Sequence, residues 1–406
     1  MKILKLAAAG PDRVPERLVA PLAAPLTVGV EEEYLLADSA TGALVPRARE
    51  AVAAASVILG EAVTPELNLC QIEVGTPVCT SLDQLDQALH HLRGQVATAC
   101  GPLGLAPLAS GTHPLSPWQE QAVDRSVERY ANMEDRYQIV ARQQVICGFH
   151  VHIGVEDPAV RVEVMNRARA WLPLLLALSA NSPYWQGGDS GYASYRTQVW
   201  QKWPMAGMPP ALDGVDAYDD LVARLVRSGA IEDATHLYWY VRPSARYPTL
   251  EFRVCDVCLE PADAVTLAGL LRALVWTCAT GSGTGSRAGG HAASADPRLG
   301  EDYQLRAAVW RAARYGLKGL LVDPETGLAG PAADVVRSAV RRLGAGLDVH
   351  GDREQVEAGV ERILVEGNGA MWQRQVAAAV GQRELARRIA VRTAGRARSG
   401  AGRLAG

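Results

Sequence analysis

The chain has 406 residues, of which 48% are hydrophobic and 21% charged, and its 41 basic and 44 acidic residues give a formal net charge of −3. At roughly 150 residues per domain, this length allows two or three domains or one large α/β-type fold. The near-neutral charge argues against a general nucleic-acid-binding protein, which carries a basic excess. The apolar content argues against extended disorder.

Cysteine usage and apolar segments indicate a cytoplasmic protein. The seven cysteines are an odd number spread along a long chain, unlike the dense disulfide framework of small secreted domains. The longest apolar run, at 171–180, is about half the roughly 20 residues that a bilayer-spanning helix needs, and it contains Pro173. Residues 1–25 are rich in Ala and Pro without a hydrophobic period, so we predict a flexible N-terminal extension there.

The first predicted elements are a strand at 26–36, an extended segment at 67–74 and a helix at 82–99. Ser81 is suited to cap this helix. Apolar residues follow Ser81 at spacings of three and four, as in an amphipathic helix: Leu82, Leu85, Leu89, Leu92 and Val96.

The middle of the chain is predicted to contain a helix within 124–144, a strand at 146–155 and a mostly buried helix at 161–180. The segment 181–215 is rich in Gly and Pro and is predicted to be a long irregular loop, which in a compact domain is usually functional. Two strands, at 237–242 and 249–254, are joined by a short turn-rich link that is typical of a hairpin.

The C-terminal part is predicted to be mainly helical. Pro261 begins a long apolar helix through 277, a Gly/Ser-rich loop occupies 281–300, and helices dominate after Tyr303. Residues 386–406 are basic and aperiodic and are predicted to form a flexible tail.

Four predicted strands carry ionisable residues on one face and apolar residues on the other, because side chains alternate along a strand. The pairs that share a face are Glu31 with Glu33, His150 with His152, Glu251 with Arg253, and Tyr240 with Arg242. This pattern favours an antiparallel sheet with one face covered by helices and the other open. The same alternation places Cys255 on the Glu251 face. We therefore predict an α+β fold.

If these faces converge, their carboxylates form an acidic cluster: Glu31, Glu33, Glu66, Glu73 and Glu251. Carboxylates in a partly desolvated site cannot all ionise without compensating cations, and oxygen ligands with one or two imidazoles favour Mg²⁺ or Mn²⁺ over Zn²⁺. Glu66 and Glu73 would lie on opposite faces of an unbroken strand, so Glu66 needs a bulge or loop position to join the cluster. The alternative for any single carboxylate is a solvated surface charge.

Several segments, in this order, resemble the carboxylate–amine ligases of the glutamate–cysteine ligase type 2 family. They are GVEEEY (29–34), ELNLCQIEVGT (66–76), GTHP (111–114), GFHVHIG (148–154), GYASYR (191–196) within the block 179–210, and VRPS (241–244) followed by TLEFRV (249–254). The resemblance covers about residues 26–380.

The resemblance implies a fold like the catalytic domains of glutamine synthetase and guanidino kinases, in which an antiparallel sheet curves into a funnel with helices outside. It implies a single catalytic ligase domain at 26–385 that forms a γ-glutamyl-type amide bond through an acyl phosphate. It also implies ATP, two or three Mg²⁺ or Mn²⁺ ions, and a small carboxylic acid and amine as substrates. Neither a nucleic acid nor a membrane is expected as a partner, and a homodimer is left open.

The resemblance also implies roles for individual residues. The positions that match metal ligands are Glu31, Glu33, Glu66, Glu73, His150 and Glu251. Arg253, Arg242 and Lys202 are expected to bind ATP, with Arg253 acting on the transferring phosphoryl group. Arg196 is expected to bind a substrate carboxylate or phosphate and to act with Arg253 in catalysis. Tyr195, Tyr240 and His152 complete the expected substrate-binding residues.

Two departures from the family pattern leave alternatives open. Tyr240 stands where the resembling ligases usually have Asp, and Ala307-Ala308 replace an acidic–amide pair before the segment WRAARYG. An amide ligase for a non-standard acid and amine in specialised metabolism is therefore one alternative. A phosphotransferase on the same fold and a degenerate relative that only binds ligands are two others.

Overall fold

The computed structural model describes residues 25–281 and 302–395. The predicted N-terminal extension (1–25), the Gly/Ser-rich loop (281–300) and the part of the predicted tail beyond Gly395 lie outside these residues, apart from Pro25 and Gly281.

The described residues form short and long strands alternating with helices. The strands are β1 (Val28–Asp38), β2 (Val63–Pro65), β3 (Gln71–Gly75), β4 (Leu105–Leu108), β5 (Gly148–Gly154), β6 (Tyr184–Trp185), β7 (Gly188–Asp189), β8 (Val241–Pro243), β9 (Thr249–Asp256), β10 (Leu320–Val322) and β11 (Ala329–Pro331). The helices are α1 (Ala48–Leu59), α2 (Leu82–Cys100), α3 (Glu128–Tyr137), α4 (Ile139–Arg142), α5 (Pro158–Ala168), α6 (Leu172–Ser179), α7 (Arg196–Trp200), α8 (Gly214–Arg227), α9 (Pro261–Thr280), α10 (Asp302–Tyr315), α11 (Ala332–Arg342), α12 (Gly344–His350), α13 (Arg353–Glu366), α14 (Gly369–Val380) and α15 (Gln382–Thr393).

The main sheet has seven strands in the order β2-β3-β1-β5-β9-β8, with β4 paired to the second half of β1. Every pair in this sheet is antiparallel. The strands β10 and β11 form a separate hairpin, and so do β6 and β7. The predicted α+β class with an antiparallel sheet is confirmed.

One face of the main sheet is covered by helices. The side chains of Val30, Phe149, Val151 and Phe252 on this face are at most 2% exposed, and α6 and α9 pack against the strands that carry them. The helix α9 is long and apolar enough to cross a bilayer, but most of it is buried against α2, α5, α12 and α13. Such burial is what the core helix of a compact domain shows.

Several predicted elements are present but divided. The Ser81 side chain caps α2 by accepting a hydrogen bond from the Gln84 backbone N–H, as predicted. The region 124–144 forms two helices separated at Gln138, whose φ is 50°. The helix predicted at 161–180 is interrupted by a 3₁₀ turn before α6, whose first turn contains Pro173. Proline lacks a backbone N–H and cannot continue a helix from the preceding turn.

Two segments predicted to be irregular contain ordered structure. The segment 181–215 includes the β6–β7 hairpin, α7 and the start of α8, a helix that the sequence did not lead us to predict. The predicted flexible tail from 386 is wrong for its first eight residues, 386–393. The helix α15 continues to Thr393, and its Ala386 and Ile389 side chains are buried.

Candidate active site

The open face of the sheet collects the acidic side chains predicted from strand alternation. On β1, Glu31 lies opposite His150 of β5, and Glu33 lies opposite Glu73 of β3. On β9, Glu251 lies opposite His152 of β5. Because these pairs lie on adjacent antiparallel strands, their side chains meet on one surface.

His150 is the centre of this surface. Its Nδ1 lies 3.3 Å from Glu31 Oε2 and 4.0 Å from Glu73 Oε1, and its Nε2 lies 3.6 Å from Glu33 Oε1. The ring is 3% exposed. Burial and the nearby Arg253 charge lower the pKa of His150, although the Glu31 hydrogen bond opposes them. The neutral imidazole that a metal ligand requires is therefore favoured.

His152 occupies the neighbouring position on the same strand. Its Nδ1 lies 2.8 Å from the Thr249 hydroxyl oxygen, which orients the ring, and its Nε2 lies 3.6 Å from Glu31 Oε1. The Nε2 atoms of His150 and His152 are both buried without a hydrogen-bond partner among the described residues. An imidazole oriented through one nitrogen with the other left free is the usual arrangement of a metal-binding histidine.

Glu66 joins the cluster from a turn, as the sequence required. The turn 66–70 separates β2 from β3, so the alternation of β3 does not extend to Glu66. Two buried amides hold the turn: Asn68 Nδ2 donates to Gln71 Oε1 at 2.7 Å, and Gln71 Nε2 donates to the Ile146 carbonyl at 2.6 Å.

Three overlapping groups of side chains offer ligand atoms within 4.8 Å of one another: Glu31, Glu73 and His150; Glu31, His152 and Glu251; and Glu33, Glu66 and Glu73. Each group combines carboxylate oxygens with at most one imidazole nitrogen, a donor set that suits Mg²⁺ or Mn²⁺. All six predicted metal ligands belong to these groups, and so does His152, which was predicted to bind substrate.

Electrostatics support the need for cations at this surface. Burial and the neighbouring carboxylates raise the pKa of Glu73 well above its usual value, and burial with the Glu33 charge raises the pKa of Glu66 to about 7. Burial would also raise the pKa of Glu31, but hydrogen bonds and charges from His150 and His152 outweigh it and hold that pKa low. Without cations, the cluster therefore relieves its repulsion by holding protons.

Two arginines flank Glu251 where the acidic cluster reaches β9 and β8. Arg242 donates to both Glu251 oxygens, at 2.8 and 3.3 Å, and also to the carbonyls of Thr235 and Leu237. Arg253 forms an ion pair with the same carboxylate. Burial would raise the pKa of Glu251, but the two guanidinium groups outweigh it and lower that pKa. Since a carboxylate has about four acceptor positions, Glu251 can bind both arginines and still face a cation.

Arg196 reaches the site from α7, above the open face. Its guanidinium lies so close to β5 that a Cβ atom on Gly148 would be 2.3 Å from Arg196 Nη2. The Trp200 ring lies 5.5 Å from the Arg196 Cζ atom and 5.3 Å from the Arg253 Cζ atom. The Nε atoms of both arginines are buried without a hydrogen-bond partner in the described ranges. Unpaired guanidinium donors next to an acidic cluster can bind a multiply charged anion such as a phosphate.

Asp256, at the end of β9, fixes the segment that carries Arg196. Its carboxylate accepts hydrogen bonds from the Asn181 backbone N–H (2.8 Å), the Ser182 hydroxyl (2.7 Å) and the Ser194 hydroxyl (2.8 Å). The Ser182 hydroxyl in turn accepts from the Arg196 backbone N–H at 3.0 Å. The long segment after residue 180 is thus anchored to the strand that also carries Arg253.

A β-bulge in β9 corrects one prediction. Between the pairs Phe149–Cys255 and Val151–Phe252, β9 has one more residue than β5. The extra residue reverses the alternation, so Cys255 faces the apolar core with 1% exposure. Asp256, opposite Gly148, takes the side of the sheet that Cys255 was predicted to occupy.

The remaining predicted residues lie around the cluster. Tyr240 is buried, and its hydroxyl accepts from Gln201 Nε2 at 2.7 Å. Burial raises the pKa of Tyr240, and the Gln201 hydrogen bond and the Arg196 charge offset this only in part. Tyr195 packs against Trp185, with ring centroids 5.5 Å apart. Lys202 is exposed, and its ammonium donates to Gln143 Oε1 at 2.6 Å. The structure thus places Tyr240 at the Arg196 side of the site and Lys202 outside the acidic cluster.

Four contributors were not predicted from the sequence: Thr249, Trp200, Asp256 and Tyr130. The Tyr130 hydroxyl donates to the Pro65 carbonyl at 3.2 Å, beside Glu66, and burial together with the Glu66 charge raises the pKa of Tyr130. Trp200 lies in the segment 181–215, and the prediction that this segment is functional was the signal that could have identified it. Asp256 had none, since strand alternation from Glu251 without a bulge places it on the apolar face.

Comparison with known proteins identifies the family. The family model described as glutamate–cysteine ligase family 2 matches residues 27–392. A putative glutamate–cysteine ligase 2-2 from Mycobacterium sp. (strain KMS) is 42% identical over 354 residues, which are 87% of this chain and 94% of the relative.

Two solved structures share the fold. A glutamate–cysteine ligase from Francisella tularensis in complex with AMP aligns with a TM-score of 0.67 at 14% identity, over 91% of this chain and 88% of that protein. A bifunctional glutathione synthetase from Pasteurella multocida aligns with a TM-score of 0.66 at 16% identity, and this chain spans 52% of its length. The chain therefore belongs to glutamate–cysteine ligase family 2, a family of ATP-dependent carboxylate–amine ligases.

Proposed function

We propose that this protein uses ATP to join the carboxylate of glutamate, or of a related acid, to the amine of cysteine or a related amine. The observation that carries the proposal is the juxtaposition on one face of carboxylates that require cations and arginines with unpaired donors. A metal–ATP complex brings both the cations and the phosphate oxygens that such a surface can bind.

Two or three divalent cations, Mg²⁺ or Mn²⁺, are proposed as the partners of the acidic cluster. The residues that would hold them are Glu31, Glu33, Glu66, Glu73, His150 and Glu251, with His152 as a further candidate from its place in the second group. The free Nε2 atoms of the two histidines and the raised pKa values of Glu66 and Glu73 support the fit. Bound cations of this kind neutralise phosphate oxygens and polarise the transferring phosphoryl group.

The arginines are proposed to act on the anionic groups of the reaction. Arg253 would donate to the γ-phosphoryl oxygens while Glu251 and Trp200 hold its guanidinium. Arg196 would bind the carboxylate of the acid beside it. Arg242 is proposed to contribute mainly by orienting Glu251, because its donors are engaged there and with two carbonyls.

The reaction proceeds in two displacements under this proposal. A carboxylate oxygen of the acid attacks the γ-phosphorus, the bond to the β,γ-bridging oxygen breaks, and ADP leaves. The amine nitrogen then attacks the acyl carbon of the resulting acyl phosphate, phosphate leaves with the bonding electrons, and the nitrogen loses a proton. The site contributes by positioning the reactants and by placing positive charge where the phosphoryl oxygens lie.

Tyr240 is proposed to influence which acid and amine are accepted. It replaces the usual Asp of the family and lies on the Arg196 side of the site, so a change there alters the polarity next to the bound acid. Ala308, the other departure, is buried in α10, and Ala307 is on its exposed side. A non-standard acid or amine is therefore the alternative to glutamate and cysteine.

A substrate panel tests the proposal. The protein is incubated with ATP, Mg²⁺ and pairs of acids and amines, and ADP release and product mass are measured. We expect ADP release that depends on both acid and amine, with a product whose mass equals acid plus amine minus water, and a hydroxamate when hydroxylamine replaces the amine. A stable phosphorylated product formed without an amine would instead establish a phosphotransferase, and no nucleotide turnover with any pair would contradict both.

Localisation and assembly are part of the proposal. A cytoplasmic location fits the seven buried free cysteines. Whether the protein is a monomer or a homodimer is measured by light scattering coupled to gel filtration.

A further inference from the structure

We infer that Glu32 and Arg93 are positioning residues for the proposed cation centre, because they tie strand β1 to the end of strand β9 from behind the sheet. The inference rests on the proposal that the acidic face binds divalent cations. It concerns two residues on the opposite, helix-covered face, which bind no substrate or cation themselves.

Glu32 lies between Glu31 and Glu33 on β1 and therefore points to the opposite face. There it meets Arg93 of α2, which donates from Nε at 2.8 Å and from Nη2 to the second oxygen. The Tyr34 hydroxyl donates to the same carboxylate at 2.6 Å. The side chains of Glu32 and Arg93 have no solvent exposure.

The other Arg93 donors connect this pair to β9. Nη1 donates to the Leu259 carbonyl at 3.0 Å, and Nη2 donates to the Cys258 carbonyl at 2.8 Å. Both carbonyls belong to the segment that directly follows β9. Because β5 lies between β1 and β9 in the sheet, Arg93 connects two strands that are not hydrogen-bonded to each other. We call the ion pair of Glu32 and Arg93 the brace.

A purely stabilising role does not explain this brace. The other buried residues of α2 are apolar, including Leu85, Leu89 and Val96, and well-packed apolar residues often stabilise a buried site as well as an ion pair does, or better. What the ion pair adds is a defined geometry, since the guanidinium fork meets the carboxylate at two points.

That geometry matters because one candidate cation group crosses the braced strands. Glu31 of β1, His152 of β5 and Glu251 of β9 offer ligand atoms within 4.8 Å of one another. Mg²⁺ tolerates little variation in ligand distance, so a change in the spacing of β1 and β9 would weaken binding even if every ligand were present.

The test replaces the brace by apolar residues and measures Mn²⁺ binding directly. The variant is Glu32→Met/Tyr34→Phe/Arg93→Met, in which Tyr34→Phe avoids a buried hydroxyl without an acceptor. The matched control is Arg272→Met/Asp352→Met, which removes a similarly buried ion pair whose arginine also donates to two carbonyls, those of Leu26 and Thr80. Arg272 lies in α9, and its carbonyl partners lie near β1 and β3 but not near β9, so the control leaves the connection between β1 and β9 intact.

Mn²⁺ titrations followed by electron paramagnetic resonance give the readout, with melting temperature measured on the same samples. We expect Mn²⁺ binding to weaken by about 10-fold in the brace variant, the lower end of the effect of losing a group that bonds a metal ligand directly, because the brace acts on the ligands only through the strands. We expect a change of less than about 2-fold in the control. Equal Mn²⁺ affinity in the brace variant and the control would overturn the inference. Absence of Mn²⁺ binding by the wild-type protein would instead contradict the proposed cation centre.

A conservative variant covers the case in which the triple variant does not fold. Glu32→Gln keeps the shape of the side chain but removes the charge that Arg93 binds, and we expect it to weaken Mn²⁺ binding by several-fold. Wild-type Mn²⁺ affinity in Glu32→Gln would overturn the inference. Arg93→Lys keeps the positive charge but not the two-point contact of the guanidinium, and its Mn²⁺ affinity should lie between those of the wild type and the brace variant.

Discussion

Glu33 supports the fold and the proposed cation centre with different oxygens. Its Oε2 accepts from the Gly148 backbone N–H at 2.6 Å, while its Oε1 faces His150. Glu33→Gln keeps an oxygen for Gly148 but loses a charged ligand of the proposed cations, so we expect turnover to fall by at least about 100-fold. Because the change also removes one charge from the repelling cluster, the metal-free protein should be at least as stable as wild type.

ADP release and thermal melting in EDTA check this prediction. The matched control is Glu357→Gln on the surface of α13, where the carboxylate forms a solvent-facing pair with Arg353. A metal-free Glu33→Gln protein that melts well below both wild type and the control would contradict the expected relief of repulsion.

The raised pKa values of Glu66 and Glu73 predict a pH-dependent cation affinity. The pKa of Glu66 is raised to about 7, so below about pH 7 this side chain holds a proton that a cation must displace. The pKa of Glu73 is also raised well above its usual value. Mn²⁺ affinity should therefore increase from pH 6 to pH 8, with protons released on binding. Calorimetry in two buffers of different ionisation enthalpy measures the released protons. Glu66→Gln should release fewer, and an unchanged number would show that Glu66 is not the titrating group.

At the scale of elements, the contact between α7 and β5 places Arg196. Gly148 leaves room for the guanidinium, since a Cβ atom there would lie 2.3 Å from Arg196 Nη2. Gly148→Ala should displace the guanidinium, and kcat/KM for the acid should fall by up to about 100-fold, as expected when a binding group moves by about 1 Å. Because the added Cβ would also lie 3.1 Å from His150 Nε2, Mn²⁺ affinity is measured on the same variant to separate an effect on the cation centre from displacement of Arg196.

The control for this variant is Gly101→Ala. Gly101 has a helical φ of −53° and no atom within 4 Å of an added Cβ. Steady-state kinetics and melting temperatures of both variants separate displacement of Arg196 from a general loss of stability. Unchanged kcat/KM in Gly148→Ala would mean that Arg196 does not bind the acid.

Strand alternation predicted the facing residues correctly where a strand is regular and wrongly where a strand has a bulge. Alternation along β1 and β5 predicted the shared faces of Glu31 with Glu33 and of His150 with His152, because each strand is regular over those residues. It failed at Cys255, because a bulge depends on the pairing of β9 with β5 and leaves no mark in the local pattern.

At the scale of the whole molecule, cation binding should stabilise the fold. The proposed ligands come from β1, β3, β5, β9 and the turn before β3, so a bound cation links segments that are distant in sequence. Binding to the folded state alone contributes about 2.7 kcal/mol when the free cation is at 100 times its Kd. Mn²⁺ should therefore raise the melting temperature of the wild-type protein.

Glu73→Gln tests which part of the cluster is responsible. Glu73 belongs to two of the three candidate groups, so this variant should lose most of the increase in melting temperature. The control Glu357→Gln should retain it. An equal increase in the Glu73 variant would place the cations elsewhere.

The C-terminal end of the fold lies further along the chain than the composition of the tail predicted. The stretch after residue 385 is basic and lacks an obvious period, yet Ile389 is buried and the Thr393 hydroxyl accepts from the Ala109 backbone N–H at 2.7 Å. These contacts join α15 to β4, and no local feature of the sequence indicates them.

The sequence by itself determined the class of fold, the family and the identity of the ligand-type residues, because these follow from local alternation and from short motifs. Only the tertiary structure decided how these residues combine: that Glu31 and Glu73 are each shared between two candidate groups, that Glu66 enters from a turn rather than from a bulge, that Glu251 pairs with two arginines, and that Asp256 anchors the segment carrying Arg196. The physical reason is that distances across strands depend on register, bulges and the helices packed behind the sheet.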